Sequence, residues 1–226
     1  MKKRIGLLIA VLVVAFSGLA AASPMTDLSA GKVAVDLLNW TPDLKGSLNA
    51  GGYNFGSDTI SGNGSLQYGI TVGVAQNWGV YFRGFDAQSQ DKPIPGYPLS
   101  YNYEMSYQQY GLEYGFGENF AVFAGGANAK GKLNISPLSF SSADKNAFQI
   151  GAIAQAPVGK DLKAYGRLAV GGDITDWEIG LSYLVAKNTE LTLNYREVYA
   201  NKLDFGSGIT VDGNVKGLGY GLTFKF

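Results

Sequence analysis

Eight charged residues have the types and spacing that could do chemistry: Asp36, Arg83, Glu113, Lys163, Arg167, Glu178, Arg196 and Lys225. Each sits in a segment of period two, opposite bulky apolar neighbours, so all eight are expected on one face of a sheet. Two chemistries suit such a set. One is an ion-pair network filling an interior; the other is a narrow polar path for small solutes. Buried charges must be paired or they impose several kcal/mol, which favours the network. A second cluster, Asp173, Asp176 and Glu178, has the residue types of a glycoside-hydrolysing pair or a loop Ca²⁺ site. Its plainer reading is a turn aspartate, a rim aspartate and an interior glutamate. A third, Gly126-Ala-Asn-Ala-Lys-Gly-Lys132, approaches the phosphate-cradling pattern G-x-x-x-x-G-K-[ST]. Leu133 replaces the Mg²⁺-binding hydroxyl and no helix follows, so a strand end is expected there. The chain has no cysteine and no histidine. Thiolate and disulfide chemistry are excluded, and the commonest general base and metal ligand are missing. No cofactor, metal or catalytic residue is expected.

The 226 residues suffice for one domain, and only 16% are charged. Soluble globular chains carry about 25%. With 32 glycines, 14 tyrosines and 12 phenylalanines, the composition favours strands and turns over helices. The net charge is zero, without the clustered basic excess of a nucleic-acid binder. Lys2, Lys3 and Arg4 precede an apolar run from Ile5 to Phe16, and Ala20-Ala21-Ala22 closes it. These are the three parts of a secretory signal peptide, with cleavage expected after Ala22. A retained membrane helix is the alternative, since Ile5 to Ala22 carries no charge. The mature domain is then 23–226. No later apolar run reaches about 18 residues, so any further membrane crossing must use strands.

From residue 31 the period-two pattern predicts ten antiparallel strands, near 31–40, 64–75, 79–87, 101–116, 120–130, 146–157, 162–172, 175–186, 189–200 and 214–226. Tight turns at 76–78, 118–119, 159–161 and 187–188 alternate with longer segments at 41–63, 88–100, 131–145 and 201–213. The short link near Gly172-Asp173 is the exception. Short turns on one side and long loops on the other are the asymmetry of transmembrane barrels. In the last strand Leu218, Tyr220, Leu222, Phe224 and Phe226 share one face, opposite Gly217, Gly219, Gly221, Thr223 and Lys225. Leu66 to Val74 and Trp177 to Val185 repeat the arrangement, with aromatic residues at the ends of each apolar face, where interfacial girdles lie. The strand 120–130 is ambiguous, because Phe123 competes with Phe120 and Val122 for the apolar face. Tyr97, Tyr101, Tyr103 and Tyr107, with Pro93, Pro95 and Pro98, predict either an outer aromatic girdle with a stiff loop or a partner-binding loop.

The ending Gly217-Leu-Gly-Tyr-Gly-Leu-Thr-Phe-Lys-Phe226 resembles the C-terminal strand of bacterial outer-membrane barrels. Trp177-Glu-Ile-Gly-Leu-Ser-Tyr and Lys187-Asn-Thr-Glu-Leu-Thr-Leu-Asn-Tyr-Arg196 look like their typical hairpin. Ser29-Ala-Gly-Lys-Val-Ala-Val-Asp36 is similar to the first strand of small barrels from diderm Firmicutes. The resemblance implies an outer-membrane location, contact with membrane lipid, and recognition of the terminal aromatic residue by the barrel-assembly machinery. Relatives of this kind include porin-like proteins, adhesins and barrels of unknown role. The lipid acyltransferases, deacylases, phospholipases and proteases among such barrels use a histidine that this chain lacks.

The expectation is therefore an all-β, up-and-down antiparallel transmembrane barrel of ten strands, with eight as the alternative. Its lumen should be largely plugged, since eight strands leave an interior just filled by side chains. A surface adhesin acting through its loops, a histidine-free enzyme and a soluble lipid-carrying barrel are the competing readings.

Overall fold

The computed structural model describes residues 24–226; the expected signal peptide lies outside them. Ten long strands form the wall: β1 (Val33–Ala50), β3 (Ser65–Ala75), β4 (Trp78–Gln88), β6 (Ser100–Gly115), β7 (Phe120–Ile135), β9 (Lys145–Pro157), β10 (Leu162–Gly171), β11 (Ile174–Ala186), β12 (Thr189–Asp204) and β13 (Ile209–Lys225). Three short strands, β2 (Tyr53–Ser61), β5 (Lys92–Pro93) and β8 (Leu138–Ser141), fold back on them. Each wall strand pairs antiparallel with its neighbours, and β1 pairs with β13 along their lengths. Val33 and Phe226 exchange backbone hydrogen bonds of 2.9 and 2.8 Å at the seam. Closure leaves the ten wall strands without an open edge at belt level, the condition a sheet must meet in hydrocarbon; β2, β5 and β8 pair on one side only, among the described residues. The eight-strand alternative is thereby corrected to ten.

Three of the segments expected as long loops, 41–63, 131–145 and 201–213, are mostly strand, while 88–100 is a loop apart from the two-residue β5. β1 runs to Ala50 and turns back into β2 through Gly51 and Gly52, both at positive φ. β12 and β13 extend to a turn at Gly206, Ser207 and Gly208, all at positive φ. Glycine and Asn/Asp/Ser content there marks the ribbon tips, while the intervening residues still pair.

The extra length changes the character of the wall. Near the tight turns the exterior is apolar: Leu66, Val74, Val80, Leu112, Ile150, Leu168, Ile179, Leu181, Leu191, Leu193 and Leu218 are all exposed. Farther along the same strands the exterior becomes Asn39, Thr41, Asp43 and Lys45 on β1, Asp86 and Gln88 on β4, Gln108 on β6, Lys130 on β7 and Asn146 on β9. The interior changes in the opposite sense. It is charged beside the apolar belt. Beside the polar exterior it is an apolar cluster that includes Trp40, Leu44, Phe85, Met105, Tyr107, Ile174, Val198, Leu203 and Val215, each at most 4% exposed. The lower half has a transmembrane surface, and the upper half is built like a water-soluble barrel. From Asn39 to Ala50, twelve residues at about 3.3 Å each and tilted by about 40° carry the wall roughly 30 Å beyond the belt.

β10 and β11 are joined by the short turn at Gly172-Asp173, so the rim is low there. The neighbouring ribbons close over the gap. Ala143 N–H donates to the Asp204 carbonyl at 2.7 Å and Asn201 N–H to that of Asp173 at 2.9 Å. The Asp173 carboxylate takes Lys145 at 2.6 Å and Lys202 at 3.7 Å. The hydrogen bond from Lys145 holds the Asp173 carboxyl below its ordinary range.

Candidate functional site in the charged lumen

All eight charged candidates face the interior. Arg83 on β4 forms an ion pair with Glu178 on β11 across the lumen. Glu178 also accepts from the Tyr165 hydroxyl at 2.8 Å and from the Asn194 amide at 2.7 Å. Arg196 on β12 is fully buried, its Nε and Nη2 each 2.9 Å from the two oxygens of Asp176. Arg167 on β10 is 3.6 Å from the same Asp176. Lys225 pairs with Glu190 at 3.3 Å near the turn end, and Asp36 accepts from Thr223 at 2.6 Å. Lys163 faces inward near the same end, and Glu113 is buried with Oε1 lacking a hydrogen-bond partner among the described residues. Among the expected belt residues, Leu218, Tyr220 and Leu222 are exposed on the outer face, and Phe224 and Phe226 are half-buried at its end.

Sequence reasoning missed three parts of this site. Asp176, expected at the rim, is 1% exposed and central to the network. It lies two residues from Glu178 on one strand and therefore shares its face, which is the signal that marks it. Glu190 is the buried partner of Lys225 and was not singled out. The aromatic residues that cradle the arginines were also missed. The Arg167 guanidinium lies 4.0 Å from the Phe123 ring centroid and 5.3 Å from that of Tyr81. The Arg196 guanidinium lies 5.2 and 5.5 Å from Phe85 and Tyr107. Cation–π contact stabilises both guanidinium groups away from bulk water, with a bidentate carboxylate added at Arg196; Nη1 of each arginine lacks a hydrogen-bond partner among the described residues. This settles the ambiguous strand: Phe123 points inward, with Phe120 and Val122 outside. It also corrects the tyrosine cluster. Tyr107 is buried in the upper core, Tyr103 packs against it, and Tyr101 shares their inward face, so they form no outer girdle; only Tyr97 is widely exposed.

The network surrounds a cavity of about 50 Å³, lined by Asp36, Gln67, Tyr81, Arg83, Glu113 and Arg167 among others. Glu113 Oε1, Tyr81 Oη and Gln67 Nε2 around it lack hydrogen-bond partners among the described residues, and the space suits a few ordered waters. Among the described residues no three His, Cys, Asp or Glu are grouped to hold a metal. Asp173 is engaged by two lysines and stands apart from the Asp176–Glu178 pair.

Residues 24–29 seat inside the turn end of the barrel. Met25, Thr26 and Leu28 are buried, and Gln155 Nε2 donates to the Thr26 hydroxyl at 2.6 Å. The groove exists because Gly73, Gly79 and Gly115, on three adjacent strands, lack side chains. A Cβ at any of them would run into Ser29, Leu28 or Thr26.

No family model and no curated protein matches this sequence. Solved structures do match. The outer membrane protease OmpT from Escherichia coli aligns with 86% of this chain and 97% of its own, at 10% identity and a TM-score of 0.56. Ail, the attachment invasion locus protein of Yersinia pestis, crystallised with the heparin analogue sucrose octasulfate, aligns with 87% of this chain and 99% of its own, at 14% identity and a TM-score of 0.39. Neisserial surface protein A aligns with 85% of this chain and 99% of its own, at 11% identity and a TM-score of 0.38. Only the first exceeds 0.5, and at these identities the likeness concerns fold alone. The closed ten-strand sheet, its apolar outer belt and its paired inner charges give this chain the fold of the outer-membrane β-barrel proteins.

Proposed function

We propose that the chain is an integral outer-membrane barrel, structural or porin-like, that passes little or no solute and contacts other molecules through its projecting ribbons. The supporting observation is a lumen filled twice over. Arg83–Glu178 crosses it at belt level, Arg196, held by Asp176 on the neighbouring strand, reaches over to the Phe85 and Tyr107 rings, and the Trp40–Phe85–Tyr107 cluster fills it above. A water-filled pore of the porin type needs far more strands. Planar-bilayer recording on the purified protein tests the reading: no stable conductance is expected, and a large, steady open state overturns it.

The same reading places the terminal strand, ending at Phe226, as the segment recognised by the assembly machinery. Deleting Phe226 should lower the folded fraction in the outer membrane. It also treats the chain as non-catalytic, since the carboxylates Asp176 and Glu178 are engaged by arginines. Reproducible turnover of a lipid, peptide or glycan substrate, lost with Asp176→Asn, would refute that part. A second reading, surface binding or adhesion, draws on the polar upper wall and its ribbons. It is tested by shortening the ribbons at 47–54 and 133–140 and measuring cell or ligand binding.

A further inference from the structure

The geometry points to a binding site for a neutral sugar ring at the outer tip of the β6–β7 ribbon. There a cleft of about 330 Å³ is lined by Asp91, Ser100, Asn102, Asn134, Ser136, Pro137, Leu138 and Ser139. That volume lies within the usual range of small-ligand sites. Asn102 and Asn134 face each other across the two strands and point outward, on the face opposite Met105 and Tyr107.

The floor of the cleft is already ordered. Asn102 Nδ2 donates to Asp91 Oδ1 at 2.6 Å, and Asn134 Nδ2 donates to Asn102 Oδ1 and to Glu104 Oε1, each at 2.7 Å. The Ser136 N–H donates to the Ser100 carbonyl at 3.1 Å and ties the two walls together. A fixed floor lowers the ordering cost of binding. Capacity is left over at Asp91 Oδ2, Asn134 Oδ1 and the hydroxyls of Ser100, Ser136 and Ser139, which make no side-chain hydrogen bond among the described residues. Hydroxyl groups suit this lining because each both donates and accepts, and amide, carboxylate and hydroxyl groups answer both needs.

Charge and shape narrow the ligand. The lining holds one acid and no base, and nearby Lys132 is held by Glu104 at 3.1 Å. An anion would meet Asp91 with no compensating cation. Pro137 and Leu138 form an apolar lip, Leu138 being 60% exposed. A pyranose ring presents the matching pair of surfaces: an edge of hydroxyls and a face of C–H groups. The site lies outside the barrel, so its occupancy is independent of lumen conductance.

The test uses the full chain in detergent, titrated with the methyl glycosides of glucose, galactose, mannose and N-acetylglucosamine and read by calorimetry and ligand-observed NMR. At least one should bind saturably. Asn134→Ala and Asp91→Ala should each weaken it at least about tenfold. Thr41→Ala, on the distant outer wall, should not. An unchanged thermal midpoint in the first two variants separates loss of the site from loss of fold. Three results overturn the proposal: no saturable binding by any of the four, affinity unaffected by both cleft variants, or preference for inorganic sulfate over all four glycosides.

Discussion

The lower half of the barrel, next to the tight turns, wears leucine, isoleucine and aromatic residues outside and hides arginine and glutamate. The upper half wears asparagine, lysine and aspartate and hides tryptophan, phenylalanine and methionine. One continuous set of strands carries both arrangements without a change of register along β6 and β7. Side-chain alternation alone does not say which face of a sheet is inside. The surrounding medium decides, and this molecule meets two media along one strand.

The largest effect should come from the lower interior. Asp176→Ala leaves Arg196 buried without its bidentate partner and Arg167 without its acid, a loss of about 3–5 kcal/mol. Urea unfolding in lipid vesicles checks it. If Asp176→Ala costs less than a conservative change in the upper core such as Val215→Ala, the lower interior is not held by charge pairing. Arginine scanning of the exterior comes next. Leu181→Arg should cost about 2–4 kcal/mol if that surface faces hydrocarbon. Thr41→Arg, on the upper exterior, should stay within about 0.5 kcal/mol. Equal costs would erase the distinction between the halves.

The seated segment 24–29 offers a kinetic measurement. The chain has no cysteine, so Thr71→Cys, at the cavity wall, reports access to the lower lumen alone. Adding Leu28→Asp should speed its reaction with a charged thiol reagent by roughly tenfold or more, as local opening becomes easier. An unchanged rate would mean that the segment does not limit access.

The smallest effect concerns the ribbon tips. Burial opposes ionisation of Asp58, but hydrogen bonds from Lys92 and Tyr101 outweigh it and hold its carboxyl below the ordinary value. A depressed folded-state value stabilises the contact above the unfolded value, near 3.9, and the gain is lost as pH falls through the folded one. For so exposed a pair the gain is less than about 1 kcal/mol. Amide exchange in β2, corrected for intrinsic rates, should quicken on acidification in the native chain and be pH-flat in Asp58→Asn.

How far the sequence could be read follows the same division. In the lower half the apolar stripes Leu218–Tyr220–Leu222 and Leu66–Val74 and the single charges opposite them announce both the faces and the strand count. In the upper half the rule that locates the lipid face points the wrong way. Thr41, Asp43 and Lys45 read as loop, and the inward Tyr103 and Tyr107 read as girdle. Asp176 was misplaced because proximity to the Gly172-Asp173 turn outweighed its two-residue spacing from Glu178. Residues 24–29 give no periodic signal, and their seat is defined by glycines far away in the chain.

The seam between β1 and β13 carries a consequence for assembly. It joins Ala34 to Lys225, so the cylinder shuts only when the earliest and latest strands of the wall meet. Loop-closure entropy makes so distant a pairing late and slow. Until it forms, two unsatisfied strand edges stand open to any other extended chain. The period of greatest risk for this protein is therefore the interval between completing β13 and finding β1, when a competing strand in either place would trap an open sheet.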